Sequence, residues 1–452
     1  MNSKLIVSLC TTSSLFILLS VTNNGVLGGG MNKPRKLYSG YKLIRVSNIS
    51  SEYEDVLIQT LEQRDTVQLW RIPKINHTVE MLVGQSRLED VLEFLRDIEV
   101  QADIIHQDIS QVLNEERDNY QSASGVPLTF AKYHDYDDII DYFMSKTGHN
   151  SAVANLTAEI IGKSEQGRDI YLFRASKETS EDYYPVAPHQ REKLKPAIWI
   201  DAGLHGRDWL AISTSAYILN KIISGDFEYI LAEYDVYVIP LINPDGYHYT
   251  RTTDRFWAKN LGIRANGRGC AGVNLDRNFA YMYRGELMEI YSKGSGVAHN
   301  PCSDFYGGSY AHIEPEVTAI SRALWARRKS ITLYLSLQSY SQIWLLPREQ
   351  LDNSHFQKLT RLADVGNSAL EDKTGTKYVI SSWEDSYAEP PGKCVDWVNQ
   401  IAGVKYSFGL KLRDDGSSRG YLVPATEIES VGEEVLAAVS AIALSNSADS
   451  IE

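Results

Sequence analysis

Apolar positions change rhythm once along the chain, near residue 130. Before it the pieces are short. Tyr41-Lys42-Leu43-Ile44-Arg45-Val46 alternates polar and apolar side chains, the period of a half-buried strand, and Tyr53 to Arg64 brings Val56, Leu57 and Leu61 to one side of a helix. Val67 to Trp70 and Val79 to Val83 read as strands. Ser86-Arg87-Leu88-Glu89 has the spacing of a capping box, opening a helix whose buried stripe is Leu92, Leu95 and Ile98. Ile104-Ile105 begins a short closing strand. The order β-α-β-β-α-β over residues 38–118 predicts a small ferredoxin-like α+β sandwich. Residues 113–125 are polar, lack apolar periodicity and read as an exposed linker, where proteolytic nicking concentrates; the domain boundary is set at 119–129.

From Tyr133 onward the apolar runs lengthen and become continuous. Ala197–Ala202, Val236–Leu241, Thr332–Leu337 and Tyr406–Leu412 read as buried strands, and Leu210–Ile223, Glu314–Arg327, Ser354–Leu370 and Glu427–Leu444 as helices. Continuous strands alternating with helices predict an α/β domain over 130–445, its sheet covered on both faces. Ligands in such folds sit beyond the strand ends. His205 follows one of them.

Length and composition add the compartment. With 452 residues, 43% of them hydrophobic, the chain can bury one large core and a smaller one. Lys4, the apolar run Leu5–Val21 and Val26-Leu27-Gly28 form a secretory signal over 1–28; a retained span would need about 20 strongly apolar residues. Export makes the cysteines interpretable: Cys10 leaves with the signal, and three remain, so one of Cys270, Cys302 and Cys394 is free or intermolecular. Asn48-Ile49-Ser50, Asn76-His77-Thr78 and Asn155-Leu156-Thr157 are glycosylation sequons. A net charge of -13 argues against nucleic acid or an anionic membrane as partner.

His205-Gly206-Arg207-Asp208, at the end of a buried strand, can present an imidazole and a carboxylate to one metal ion. Alone the pair says little, because a loop His beside a helix-capping Asp has the same spacing. Five further segments stand in order with it: Ile161-Gly162-Lys163-Ser164-Glu165-Gln166-Gly167-Arg168, Asn243-Pro244-Asp245-Gly246-Tyr247, Asp276-Arg277-Asn278-Phe279, Ser339-Tyr340-Ser341-Gln342 and Leu412-Arg413-Asp414. Together they make residues 130–445 resemble the secreted zinc metallocarboxypeptidases of the A and B type, and residues 38–118 their activation propeptide. The resemblance implies a mixed, mostly parallel sheet with helices on both faces. It also implies a disulfide between Cys270 and Cys302, leaving Cys394 alone. Closing that loop of roughly thirty residues contributes about 3 to 4 kcal/mol.

The same resemblance shows what has changed. The family holds zinc with His-x-x-Glu and a later His; the matching residues are His205, Asp208 and Gln338. An amide oxygen is a poor substitute for imidazole on zinc. The family's general-base Glu is matched by Lys411 in Gly409-Leu410-Lys411-Leu412-Arg413-Asp414. Its loss alone costs roughly 10²–10⁴ in rate, and an ammonium about 4 Å from a dication is opposed by roughly 8 kcal/mol at an effective dielectric of about 20. The arginine that polarises the scissile carbonyl is matched by Ala258. Removing such a donor costs about 10²–10³.

Residues matched to substrate recognition persist. Arg277 corresponds to the anchor of the terminal carboxylate, Arg207 and Tyr340 to outer subsites, Tyr387 to the mobile tyrosine, and Val395 to the specificity position, where an apolar residue implies apolar C-terminal side chains. Asp276 replaces an Asn and either ties Arg277 down or weakens its hold on a carboxylate. Arg207 and Arg277 are either ligand-binding residues or buried ion-pair partners. The expectation is a secreted carboxypeptidase-like protein, catalytically inactive, that binds peptide C-termini or a carboxypeptidase inhibitor. Its alternative is an altered hydrolase with His205, Asp208 and Gln338 on zinc, releasing apolar C-terminal residues. Charge balance further predicts that Lys411 pairs with Asp208 or Gln338.

Overall fold

The computed structural model describes residues 35–50, 57–58, 60–61, 66–71, 77–118, 128–148, 154–177, 195–262, 270–281, 300–348, 353–381 and 391–449. The proposed signal over 1–28, Asn76, most of the 119–129 linker and Tyr387 lie outside them. Strands β1 (Lys42–Val46), β2 (Val67–Arg71), β3 (Val79–Val83) and β4 (Ala102–His106) form an antiparallel sheet in the order β2-β3-β1-β4, the arrangement expected of a ferredoxin-like sandwich.

Two local readings are corrected here. The helix expected to open at Ser86 spans Leu88–Asp97, because Gln85–Arg87 forms a 3₁₀ turn and Arg87, with no side-chain cap, becomes the N-cap. Its buried stripe is accordingly Leu88, Val91 and Leu95, with Leu92 and Ile98 only partly covered. The polar stretch read as linker from residue 113 is helical to Asp118: the helix Ile109–Asp118 buries Ile109, Val112 and Leu113, so its apolar anchor sits in its first half.

The larger domain is built on an eight-stranded mixed sheet of β5 (Asn155–Lys163), β6 (Asp169–Ser176), β7 (Ala197–Ala202), β8 (Asp235–Ile239), β9 (Ile331–Gln338), β10 (Ile343–Leu345), β11 (Val379–Ile380) and β12 (Tyr406–Lys411). Their order is β11-β10-β12-β9-β7-β8-β6-β5, with β12, β9, β7 and β8 mutually parallel at the centre. Alternation assigns side chains to two cores. Ile198, Ile200, Leu333, Leu335 and Leu337 pack beneath the helices Trp209–Ser224, Asn353–Thr374 and Ile428–Asp449, while Trp199, Ile331 and Tyr334 meet Pro315–Arg327 and Cys394–Gln400.

Cys270 and Cys302 are bonded, with their Cα atoms 5.1 Å apart, as the resemblance implied. Cys394 is buried, its Sγ 3.0 Å from the Tyr334 hydroxyl. The two domains share an aromatic core in which Trp70 of β2 packs on Phe256 and Tyr421, with ring centres 4.6 and 5.3 Å away. Among the described residues, no helix is long and apolar enough to cross a membrane.

Candidate active site

Three parallel strands end at the same edge. His205 lies just past β7, Gln338 is the last residue of β9 and Lys411 the last of β12, directly in register with Gln338. With Asn274, Asp276, Arg277, Arg207, Tyr340 and Lys393 they line one cavity, whose outer side carries Trp70 and Arg71 of the N-terminal domain. The loop turns tightly enough that a Cβ on Gly206 would stand 2.5 Å from the backbone of Gly246. Glycine is what allows that approach.

At the position matched to the family's zinc site, the side chains of His205, Asp208 and Gln338 each make a contact within the protein. His205 Nδ1 lies 3.2 Å from Asp208 Oδ2, and its Nε2 lies 3.1 Å from Asn274 Oδ1. The Asn274 amide cannot be turned round, because its Oδ1 accepts from the Asp276 amide and its Nδ2 donates to the Asp304 carbonyl. Both imidazole nitrogens therefore face oxygen atoms of neighbouring side chains. Asp208 Oδ2 also accepts the Ser339 N–H at 3.1 Å, and Gln338 Nε2 donates to Asp276 Oδ2 at 3.3 Å. Asp208 Oδ1 is buried with no hydrogen-bond partner. Among the described residues no three His, Cys, Asp or Glu side chains form a group suited to a metal ion. The donors as arranged do not fit zinc, which takes three protein ligands in catalytic sites of this kind.

The expected pairing of Lys411 is not formed. No hydrogen bond or ion pair joins it to Asp208 or Gln338; Asp208 Oδ2 is shared by His205 and the Ser339 N–H, and Gln338 Nε2 donates to Asp276. Lys411 remains part of the same cavity wall.

Asp276 is the hub of the opposite wall. The Asn274 side chain starts the short 3₁₀ turn Leu275–Arg277 by accepting the Asp276 N–H. The Asp276 carboxylate then accepts from the Cys394 amide, Gln338 and Arg277 Nη1, at 2.9, 3.3 and 3.1 Å. Arg277 is thus tied down by its neighbour while its guanidinium still faces the cavity. Gly392, at φ +85°, passes so close to Arg277 that a Cβ there would lie 2.5 Å from the Arg277 carbonyl oxygen. Arg207 stacks on Tyr421 with its guanidinium carbon 4.3 Å from the ring centre and reaches Asp304 at 3.2 Å. Ala258 is fully buried and contributes only a carbonyl, which accepts the Gly206 N–H. Val395 is buried in the second core, and the lysine two residues before it reaches the cavity instead.

Several contributors carried no readable signal in the sequence. Glu116 forms a two-bond pair with Arg255, at 2.7 and 2.8 Å, where both side chains are almost wholly buried. Glu80 receives the Tyr340 hydroxyl and Arg45. Burial lifts its carboxyl above the ordinary range against the pull of Tyr340 and Arg45. Deeper beneath the site, burial pushes Asp201 up to about 7, although Trp199 Nε1 donates to it and the hydroxyls of Ser336 and Tyr334 favour its charged form.

An α/β domain with a His-x-x-Asp loop at its parallel strand ends, capped by a ferredoxin-like domain, has the architecture of a zymogen-type exopeptidase. Comparison with known proteins makes this specific: residues 130–438 match the zinc carboxypeptidase family and residues 48–116 the carboxypeptidase activation peptide, so the chain belongs to the zinc carboxypeptidase family. It is 33% identical to carboxypeptidase B of Astacus astacus over 70% of this chain and 97% of that protein. Among solved structures, thrombin activatable fibrinolysis inhibitor superposes with a TM-score of 0.74 at 25% identity, covering 90% of this chain and 99% of the other. The bovine form of that protein, in complex with tick carboxypeptidase inhibitor, gives 0.59 at 29% identity over 71% of this chain and 99% of the other.

Proposed function

We propose that this chain is a secreted, non-hydrolytic member of its family that holds a carboxylate at the former active site. The commitment of both His205 nitrogens to Asp208 and Asn274 carries this reading. Three substitutions agree with it. Gln338 offers an amide in place of an imidazole and Lys411 an ammonium in place of the base, while Ala258 has no side-chain donor. The carboxylate-binding part rests on Arg277 and Arg207, which line the cavity although Asp276 and Asp304 lie against them. Peptide C-termini are the natural ligand class. A carboxypeptidase inhibitor is a second partner of the same chemistry, as the complex of the bovine relative illustrates. Export follows from the N-terminal segment, and glycosylation at Asn48 and Asn155 from their sequons.

Release of C-terminal residues from a panel of short peptides, after cleavage within residues 119–127 and with zinc supplied, tests the inactive reading. No release above a Arg277→Ala control is expected. Release that a chelator abolishes would establish the altered-hydrolase reading in its place.

A further inference from the structure

We infer that the sheet edge opposite the candidate site binds a sulfated polysaccharide, through a basic patch at the C-terminal end of the helix Pro315–Arg327. Gln338 and Lys411 mark where their strands end, whereas this patch lies where the same strands begin. The helix stops at Arg327 and β9 starts at Ile331, so Arg328 and Lys329 fall in the turn between them. Lys405 leads into β12 at Tyr406, which stands opposite Leu333 of the parallel β9. Both lysines therefore belong to one edge, and an occupant there leaves the cavity untouched.

Arg322 and Trp325 share a helix face that Lys329, in the turn just after it, continues over roughly 10 Å. Arg322, Lys329 and Lys405 are exposed, and none forms an ion pair with a described residue. The acids nearest in the fold have other partners: Glu159 of β5 pairs with Arg327, and Asp235 of β8 with Arg174 and Lys195. Trp325 is the one exposed tryptophan among the described residues, 46% accessible, with the Arg328 guanidinium 3.9 Å over its ring centre. Tryptophan and arginine are the side chains that contribute most where surfaces meet a partner. The rest of the chain decides between anionic partners. With a net charge of -13, a bilayer or an acidic protein would face the acidic remainder of the molecule as well as the patch. A linear sulfated sugar is narrow enough to touch the patch alone, and its rings can pack on the indole. The consecutive Arg327-Arg328-Lys329 is the clustered basic pattern of surfaces that hold such polyanions.

The test is calorimetry on the full chain with a heparin-derived octasaccharide, its desulfated form, and poly-L-glutamate of matched charge. The sulfated sugar is expected to bind, the desulfated sugar not to bind, and poly-L-glutamate to bind at least ~10-fold more weakly. Affinity for the sulfated sugar should fall with salt with a log–log slope of about 3, one counterion for each of Arg322, Lys329 and Lys405. Replacing those three by Ser together should weaken it at least ~10-fold. Lys377→Ser, at a highly exposed lysine elsewhere, should leave it unchanged. Should the triple variant fail to fold, the desulfated comparison and the salt slope of the unmodified chain still decide. No binding of the sulfated sugar, or binding that the triple variant retains, would overturn the proposal. Equal binding of poly-L-glutamate would also overturn it, in favour of an acidic protein partner.

Discussion

His205 lies just past β7, its two ring nitrogens facing Asp208 Oδ2 and Asn274 Oδ1. The shorter stem of Asp and the nearby Ser339 N–H let this carboxylate turn back onto its own loop. Asp201, four residues earlier, shows a different electrostatic balance. Its folded-state pKa of about 7 lies above the ordinary aspartate value because burial disfavours the charged form. Its protonated form is therefore favoured by folding at low pH, and that contribution is lost as pH rises from about 4 through about 7. Asp201→Asn should become progressively more stable relative to the parent across that window, by up to ~4 kcal/mol, as chemical denaturation at several pH values would show. A difference independent of pH would contradict the assignment. The site's members at 205, 208, 276, 277, 338 and 411 were legible from the family motifs around them. Their partners were not: charge balance alone joined Lys411 to Asp208 or Gln338, whereas Asp208 Oδ2 is turned toward a neighbour three residues away and a backbone N–H.

At the scale of elements, the helix Ile109–Asp118 is one of the links between the two domains. Its first half buries Ile109, Val112 and Leu113, and its second sends Glu116 onto Arg255, which also caps the carbonyls of Arg207 and Tyr421. Breaking an ion pair so enclosed strands a charge, at a cost of roughly 3–5 kcal/mol. Glu116→Ala should lower the denaturation midpoint accordingly, and adding Arg255→Met should restore part of the loss. An unchanged midpoint in Glu116→Ala would show the pair to be dispensable. The long central strands and helices were readable because each presents a continuous run or a broad stripe. The helix Ile109–Asp118 was hidden by apolar positions confined to one end, and β5 and β6 by pairing at an edge where half-buried residues blur the alternation.

Over the whole molecule, the N-terminal domain and the larger domain share a core, so the cavity is a product of both. Trp70 and Arg71 close its outer side, Glu80 occupies Tyr340, and Gln68 reaches Asp304 beside Arg207. The layered architecture followed from patterning and from the resemblance, since strand order and helix placement are set by which faces must be buried. The division of labour across the cavity did not, because it depends on residues from segments more than a hundred positions apart. The family's fold is kept here, with His205, Asp208, Gln338 and Asp276 in contact with one another or with near neighbours at the parallel strand ends.

The zinc content of the purified full chain, after equilibration with zinc and dialysis against metal-free buffer, tests this account most directly. Elemental analysis should find well under one zinc per chain, with no change on His205→Ala. One zinc per chain, lost in that variant, would contradict it.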